Sequence, residues 1–162
     1  SGVASLLLAL LYGIIFRFSA QDAGQSGSLS QSVSEKCVEL MNALSGSGWS
    51  QMKMAGLAEQ IEHPIRKLAH FSEYACMGVL VYTLWSQWLC QGRRLRWLTV
   101  GWVFLSAAGD EFHQYFVPGR YASFADVLLD TCGGTFGMFF CVCVVALYRR
   151  HLARKDKPAG VS

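Results

Sequence analysis

Four long apolar runs limit how this chain can fold more than any other feature of its sequence. A helix needs about 20 apolar residues to cross the hydrocarbon core of a bilayer. The runs cover about residues 3–18, 65–89, 97–116 and 124–148. An outer loop over 19–64 joins the first two runs, and a basic tail over 149–162 ends the chain. The pattern predicts a single all-α domain over residues 1–162, built as a four-helix transmembrane bundle.

The composition agrees with a membrane protein. Of the 162 residues, 52% are hydrophobic and only 15% are charged, which is more apolar than an ordinary soluble domain. The net charge of +3 does not imply a nucleic-acid partner, because its meaning depends on where the charges lie. The first run is slightly short, and we interpret it as a transmembrane helix, with a cleaved signal peptide as the alternative.

Basic residues are concentrated on one side of the predicted membrane. Eight of the 14 lie in the connection after the second run or in the tail: Arg93, Arg94, Arg96, Arg149, Arg150, Arg154, Lys155 and Lys157. Every acidic residue except Asp156 lies on the other side. The positive-inside rule assigns the basic side to the cytoplasm. We therefore expect a multi-pass protein with both termini in the cytoplasm.

The outer loop contains patterns typical of short amphipathic helices. Ser32 and Glu35 have the spacing of a capping box. Apolar residues then recur at helical spacing: Val33, Cys37, Leu40, Met41 and Leu44. A second helix is predicted over 51–62, and Pro64 is expected to end it or to start the next element. These helices are expected to lie on the membrane surface or to cap the bundle.

Polar residues occupy the outer ends of three predicted spans. His70 and Glu73 lie near the start of the second span. The third span ends with Asp110, Glu111, His113 and Gln114, and the fourth begins with Asp126 and Asp130. Ser123 is expected to cap the fourth helix with Asp126, and Arg120 follows the helix-breaking Pro118-Gly119. Because ionisable groups at membrane depth usually face a bundle interior or a watery cavity, we expect one shallow extracytoplasmic pocket.

These residues carry a resemblance to a known family. The relevant segments are 66–74, with the pattern RK-x-AH-x-x-EY, and 110–120, with the pattern DE-x-HQ-x-x-x-PGR; Asp126, 130–134, 18–21, Ser26 and Ser30 also fit. The chain resembles the VanZ-like family of bacterial membrane proteins. The resemblance implies a small multi-helix protein of the bacterial cytoplasmic membrane, in a family whose namesake is associated with teicoplanin resistance. It implies no particular reaction.

Three hypotheses follow for the polar cluster. The first is an acid-base enzyme acting on an envelope substrate, because carboxylates beside imidazoles suit proton transfer. Its candidate catalytic residues are Asp110, His113, Glu73, Glu111 and His70. The second is a module that binds or transports an anionic lipid head group, a lipid-linked envelope precursor or an antibiotic. Its candidate binding residues are Arg120, Arg66, Lys67, Gln114, Asp126, Asp130, Tyr74 and Tyr115.

The third hypothesis is structural. On this hypothesis the cluster only fixes the register of the helices, because buried charges must be paired to be tolerated. The residues of that paired network would be Arg66, Glu73, Asp110, Arg120 and Asp130. On any of the hypotheses, we expect a mutually dependent core of Glu73, Asp110, His113, Arg120 and Asp130.

The sequence predicts no cofactor, although a divalent metal is an alternative. His70 and Glu73 with His113 and Asp110 are ligand types that suit zinc or manganese. Against a metal, the chain contains no H-E-x-x-H motif. The six cysteines form no CxxC pair and are expected to be free structural thiols, with a disulfide or a reactive thiol as the alternative. Gly133 and Gly137 are expected to serve close helix packing.

Overall fold

A computed structural model of the chain describes residues 2–21, 23–89 and 92–155, and within them it contains five helices and no strand. The helices are α1 (Gly2–Ser19), α2 (Ala23–Ser45), α3 (Gln51–Trp85), α4 (Arg93–Gln114) and α5 (Phe124–Lys155). The predicted all-α class is confirmed. Cys90, Gln91 and the last part of the tail, 156–162, lie outside the described residues, as does the side chain of Ser26.

Helix α3 is the central element, because it packs against each of the other four helices. The hydrophobic core lies among α1, the second half of α3, α4 and the start of α5. Its buried residues are Ile15, Tyr74, Met77, Val81, Val103, Ala107 and Val127. Helix α5 runs along both α3 and α4, so its first turns lie beside the last turns of α4. This arrangement brings the polar ends of three helices to one end of the bundle.

Glycines allow α3 and α5 to approach each other closely. A Cβ atom at Gly78 would collide with the backbone of Gly134, and one at Gly137 would collide with the backbone of Ala75. A Cβ atom at Gly133 would meet the backbone of Phe71. The expectation that Gly133 and Gly137 serve close packing is therefore confirmed. Because the backbones are in contact, the register of α5 on α3 is set by these glycines.

The two helices predicted in the outer loop differ from the observed ones. Helix α2 begins at Ala23, so Ser32 lies inside it and the predicted capping box is wrong. The Ser34 hydroxyl instead donates to the Ser30 carbonyl within the helix, at 2.8 Å. Serine can satisfy its hydroxyl in this way inside a helix, which lets α2 extend through the polar sequence.

Pro64 does not end a helix, because α3 runs through it without a break. Proline costs the helix one backbone hydrogen bond. Contacts on both sides of Pro64 hold the helix together. The Ser30 hydroxyl of α2 donates to the Glu62 carboxylate just before it, and Lys67 pairs with Asp126 of α5 just after it. The helix predicted over 51–62 and the second predicted span are thus one element.

The other boundaries also differ from the predicted spans. Arg93, Arg94 and Arg96 belong to the first turn of α4 and do not form a separate basic turn. Helix α3 ends at Trp85, short of the predicted 89, and α5 continues beyond 148 to Lys155. Arginine has a high helix propensity, which explains why the basic sequence at both places is helical.

Helix α5 is the one helix among the described residues that is both long and apolar enough to cross a membrane, and α1 is apolar but shorter. Large apolar side chains are exposed along the outer surface, including Leu6, Leu10, Trp97, Leu105, Phe136 and Phe140. Extensive exposed apolar surface is rare on soluble monomers. These side chains therefore favour a membrane protein, as does the length of α5.

Helix α2 also exposes an apolar stripe. The residues predicted to form its apolar face are on the surface: Val33, Cys37, Leu40, Met41 and Leu44. The face that packs on α3 instead contains Ser30, Ser34 and Val38. Glu35 and Glu39 lie on the side away from the stripe, as the helical period requires. The stripe therefore flanks the buried face and is unpartnered in the bundle.

Candidate functional site

A cavity of about 490 Å³ opens at the end of the bundle where α3, α4 and α5 meet. Its walls come from α3, from the end of α4, from the connection between α4 and α5, and from the first turns of α5. The residues that line it are His63, Arg66, Lys67, His70, Glu111, Gln114, Gly119, Arg120, Tyr121, Ser123, Asp126, Leu129 and Asp130. We call it the polar cavity.

Helix α3 contributes basic side chains from one face. His63, Arg66, Lys67 and His70 are spaced three, four and seven residues apart, so they share that face. Lys67 Nζ lies 2.8 Å from Asp126 Oδ1 and ties α3 to α5. Arg66 Nη2 lies 3.3 Å from His63 Nδ1, and Arg66 Nη1 lies 3.7 Å from Glu62 Oε1. His63 was not among the predicted site residues. Its spacing of seven residues from His70 puts both on one helical face, and this spacing could have identified it.

Arg120 is held over the cavity by an amide. Its Nε and Nη2 atoms both donate to Gln114 Oε1, at 3.2 and 2.7 Å. Gln114 Nε2 in turn donates to Asp110 Oδ2 at 2.8 Å. Gly119 has a φ of 75°, a conformation that side chains disfavour, and this glycine turns the chain back after α4. Asp110, Gln114 and Arg120 thus form one connected chain of hydrogen bonds.

The guanidinium of Arg120 is half-buried, and this lowers its pKa. The positive charge of Arg66 acts in the same direction, whereas the carboxylates of Asp110, Glu111 and Asp126 oppose it. Arginine nevertheless stays charged in proteins. Arg120 forms no ion pair within the described part of the chain, so its partly desolvated charge has no direct counter-ion.

Glu111 caps α5 from a different helix. Its Oε2 atom accepts a hydrogen bond of 2.8 Å from the backbone N–H of Ser123. In the predicted capping box Asp126 would have held this N–H, but the carboxylate of Asp126 pairs with Lys67. The predicted Ser123–Asp126 capping box is therefore wrong. Glu111 fits the role because it is nearly fully buried between α4 and the start of α5.

Asp130 is the most deeply buried carboxylate of the cavity, with 2% of its surface exposed. Its Oδ1 atom has no hydrogen-bond partner among the residues that the structure describes. A buried polar atom without a partner is costly, and such atoms in native proteins call for a ligand, a water molecule or a functional explanation. Asp130 is therefore open to a hydrogen-bond donor entering from the cavity.

His70 and Glu73 form a second pair at the back of the cavity. Their Nδ1 and Oε2 atoms are 3.8 Å apart, too far for a hydrogen bond, and both atoms are buried without a partner in the described chain. His70 lines the polar cavity. Both residues also line a smaller cavity of about 160 Å³ between α1, α2 and α3. His70 therefore lies between two cavities, with Glu73 on its far side.

Some predicted site residues lie away from the polar cavity. The ring of His113 packs on Phe16 of α1, with centroids 4.9 Å apart. Tyr74 is buried in the bundle core, and Tyr115 is largely exposed beside Phe116. Asp110 reaches the cavity only through Gln114. The expected catalytic and binding residues are thus divided between the cavity wall and its surroundings.

The ion pairs do not match the network that the structural hypothesis requires. The network would be Arg66, Glu73, Asp110, Arg120 and Asp130, and no two of these form an ion pair with each other. Arg66 pairs with Glu62, and Lys67 pairs with Asp126. Apart from the pair of Lys67 with Asp126, the charges that line the cavity therefore do not neutralise one another by direct contact.

The described residues contain no group of three His, Cys, Asp or Glu side chains that could hold a metal ion. The alternative site of His70, Glu73, Asp110 and His113 is not assembled, since His113 packs on α1. Cys37, Cys76, Cys132, Cys141 and Cys143 are free thiols.

Comparison with known protein families gives a match over most of the chain. A protein-family model described as VanZ/LLP1 matches residues 4–147, which include all of α2, α3 and α4, most of α1 and α5, and the whole polar cavity. No curated protein matches the chain, and no solved structure does.

Proposed function

Because the chain belongs to the VanZ/LLP1 family, we propose that it is a multi-pass protein of the bacterial cytoplasmic membrane that binds an anionic envelope lipid. The ligand class is an anionic lipid head group or a lipid-linked envelope precursor. The binding site is the polar cavity. Helices α1, α3, α4 and α5 span the membrane, and both termini are cytoplasmic.

The distribution of charge supports this orientation. The first turn of α4 and the end of α5 carry seven arginines and lysines and no acidic residue, whereas the acidic residues of the polar cavity lie at the opposite ends of these helices. The positive-inside rule assigns the basic end to the cytoplasm. The polar cavity then opens at the outer leaflet, where envelope precursors are used.

The observation that carries the proposal is the unpaired charge in one cavity. Arg120 has no ion pair within the described chain, and Asp130 has a buried oxygen atom without a partner. An anionic group on a ligand would complement Arg120, whose fork of donors suits phosphate or carboxylate. A hydroxyl or ammonium group would complement Asp130. A sugar- or glycerol-bearing phospholipid head group offers both kinds of group.

The polar cavity has a volume typical of small-ligand sites. Lys67 and Arg66 of α3 also line the cavity and add positive charge to it. A head group in the cavity would have its lipid chains beside the exposed apolar surface of the bundle. An antibiotic such as teicoplanin, which the family resemblance suggests, is the alternative ligand for the same groups.

A second candidate function is hydrolysis or group transfer on the bound lipid. The arrangement of His70 and Glu73 favours it, because a histidine on a cavity wall with a carboxylate behind it suits a general base. The distance of 3.8 Å is long for a hydrogen bond, and such contacts often tighten when a substrate binds. His70 is therefore a better candidate base than His113, which packs on Phe16.

Binding is tested with purified protein in neutral lipid nanodiscs, titrated with anionic glycerophospholipids, polyprenyl-linked phosphates and teicoplanin. Arg120→Lys keeps the charge but loses the planar fork, and it should weaken binding of the true ligand about tenfold or more. Arg17→Lys is the matched control. Arg17 is an exposed basic residue on the same side of the proposed membrane as Arg120, and it lies outside the cavity. If both variants bind every tested ligand as the wild type does, the cavity does not recognise an anion.

A turnover assay on the same lipids separates an enzyme from a binding protein. If the protein is an enzyme, His70→Gln should abolish product formation while ligand binding is retained. His113→Gln serves as the control, since its ring lies against α1. Absence of product from the wild type, with ligand binding intact, would leave binding as the function and eliminate catalysis on those lipids.

A further inference from the structure

A groove between α4 and α5 lies at the other end of the bundle from the polar cavity. Its volume is about 460 Å³, and its walls include Arg93, Arg96, Trp97, Val100, Met138 and Phe139. Along α4, Arg96 and Gln114 are about 27 Å apart at the rise of a helix. The groove and the polar cavity are therefore separate sites in opposite halves of the molecule.

Two arginines and no acidic residue of the described chain lie at one end of the groove, whose lining is otherwise almost entirely apolar. Arg93 and Arg96 line it, no acidic residue does, and neither arginine forms an ion pair with a described residue. The first turn of α4 also contains no acidic residue. Basic side chains at a helix N-terminus are unfavourable next to the positive end of the helix dipole. A bound anion would relieve this repulsion.

The rest of the groove is apolar and adjoins the lateral surface of the bundle. Val100 and the fully buried Met138 form its apolar walls together with Phe139. Trp97 is 71% exposed, and Leu98 beside it is also on the surface. A small soluble anion would use only the arginines. A ligand with an anionic head and apolar chains would use both parts of the groove.

We infer that this groove binds a glycerophospholipid with a net anionic head group. Its phosphate lies by Arg93 and Arg96, and an acyl chain follows Val100 and Phe139. The inference rests on the proposed membrane orientation, which puts the groove in the cytoplasmic leaflet, but not on the ligand of the polar cavity. Basic pockets between helices on the cytoplasmic side are known to suit anionic lipids.

The test uses the full chain in nanodiscs of phosphatidylcholine, with phosphatidylglycerol added in steps and bound lipid counted by native mass spectrometry. Because phosphatidylglycerol could also enter the polar cavity, all measurements are made in the Arg120→Lys background. Phosphatidylglycerol should be retained selectively over phosphatidylcholine. An arginine that donates hydrogen bonds directly to the lipid phosphate contributes at least about a fivefold factor in affinity, unlike a surface charge that only attracts it. The double variant Arg93→Gln, Arg96→Gln should therefore bind phosphatidylglycerol about 25-fold more weakly.

The matched control is the double variant Arg149→Gln, Arg150→Gln. It removes the same charge on the same side of the membrane, from exposed positions of α5 outside the groove. Its affinity for phosphatidylglycerol should stay within about twofold of the parent, because nearby surface charge alone contributes weakly. Equal losses in the two double variants, or equal retention of the two lipids by the parent protein, would overturn the inference.

The apolar part of the groove has a test of its own. Val100→Phe narrows the apolar part of the groove and leaves both arginines in place. It should therefore weaken phosphatidylglycerol binding by at least about tenfold. Soluble glycerol 3-phosphate supplies the head group without the chains and should compete only weakly. If glycerol 3-phosphate displaces the lipid at equal concentration, the groove binds anions only and the lipid assignment is wrong.

Discussion

Glu111 and Asp126 show how the surroundings of a carboxylate decide its role. Both are acidic residues near the start of α5, but Glu111 belongs to α4 and Asp126 belongs to α5. Glu111 is nearly buried and accepts from the Ser123 backbone, whereas Asp126 is partly exposed and pairs with Lys67. A half-exposed ion pair contributes little to stability, and a buried bond to a charged acceptor contributes more.

We predict that Glu111→Ala lowers the free energy of unfolding by about 1.5–3 kcal/mol, because it removes a charged hydrogen-bond acceptor from the partly buried N–H of Ser123. Asp126→Ala should lower it by less than about 1 kcal/mol, the usual value for a partly exposed pair. Unfolding of both variants by a denaturing detergent measures the difference. A larger loss for Asp126→Ala would support the capping box and contradict the observed cap.

At the scale of single residues, the sequence identified most of the groups in the polar cavity but not their partners. His70, Arg66, Lys67, Glu111, Gln114, Arg120, Asp126 and Asp130 all line it. Their positions at the ends of apolar runs were enough to predict that they lie close together. Partners depend on how helices are rotated and shifted against each other, as the contact of His113 with Phe16 illustrates. No spacing within one helix contains that information.

At the scale of the elements, the contact of α3 with α5 is set by glycines. The backbone of Gly137 faces the backbone of Ala75, and that of Gly78 faces Gly134. Such close approach is how helices associate in lipid, where the hydrophobic effect does not drive them together. The contact also fixes the positions of Asp126 and Asp130 along the helix axis relative to Lys67 and His70. The geometry of the polar cavity thus depends on small residues of the α3–α5 contact that lie outside the cavity.

We predict that Gly137→Ala lowers the free energy of unfolding by about 1–3 kcal/mol, because the added methyl group cannot be accommodated without shifting a backbone. Gly101→Ala is the control, since Gly101 is an exposed glycine of α4 with open space around it. It should be neutral or stabilise the protein by up to about 1 kcal/mol, because alanine favours a helix. Equal effects in thermal unfolding would show that α3 and α5 are not in backbone contact.

Helix α2 presents its apolar stripe away from the bundle, and we predict that the stripe lies in the outer surface of the membrane. A polarity-sensitive fluorophore attached at Leu40→Cys, in a background without native cysteines, should shift to the blue in vesicles. The same probe at Glu39→Cys, on the polar side of α2, should keep the emission wavelength of a probe in water. Identical spectra at the two positions would mean that α2 does not lie on the bilayer.

The elements themselves were predicted unevenly. Apolar runs identified the central parts of α1, α3, α4 and α5, because long apolar runs favour helices. Among the described residues, α5 is the helix with both the length and the hydropathy to cross a membrane. The predicted helix boundaries were wrong where local sequence signals compete with other contacts in the fold. Pro64 was expected to break a helix that α2 and α5 hold on both sides, and Ser32 was expected to start a helix that already begins at Ala23. These contacts join residues far apart in sequence.

For the whole molecule, the two ends of the bundle differ in charge. One end carries the polar cavity with its carboxylates, and the other carries the basic start of α4 and the basic end of α5. We predict that a membrane-impermeant thiol reagent added to intact cells labels Tyr121→Cys, which is 91% exposed, but not Arg94→Cys. Both are made in the cysteine-free background. Labelling of position 94 from outside would reverse the proposed orientation.

The proposal for the polar cavity has its most direct test in a structure of the protein determined in a nanodisc that contains the ligand from the binding titrations. Our account predicts density for an anionic group at the guanidinium of Arg120 and a donor of the same ligand at the Asp130 carboxylate. Arg120 should keep its hydrogen bonds to Gln114. A direct ion pair between Arg120 and Asp130 that closes the cavity, with no ligand density in it, would contradict the account and support a purely structural cluster.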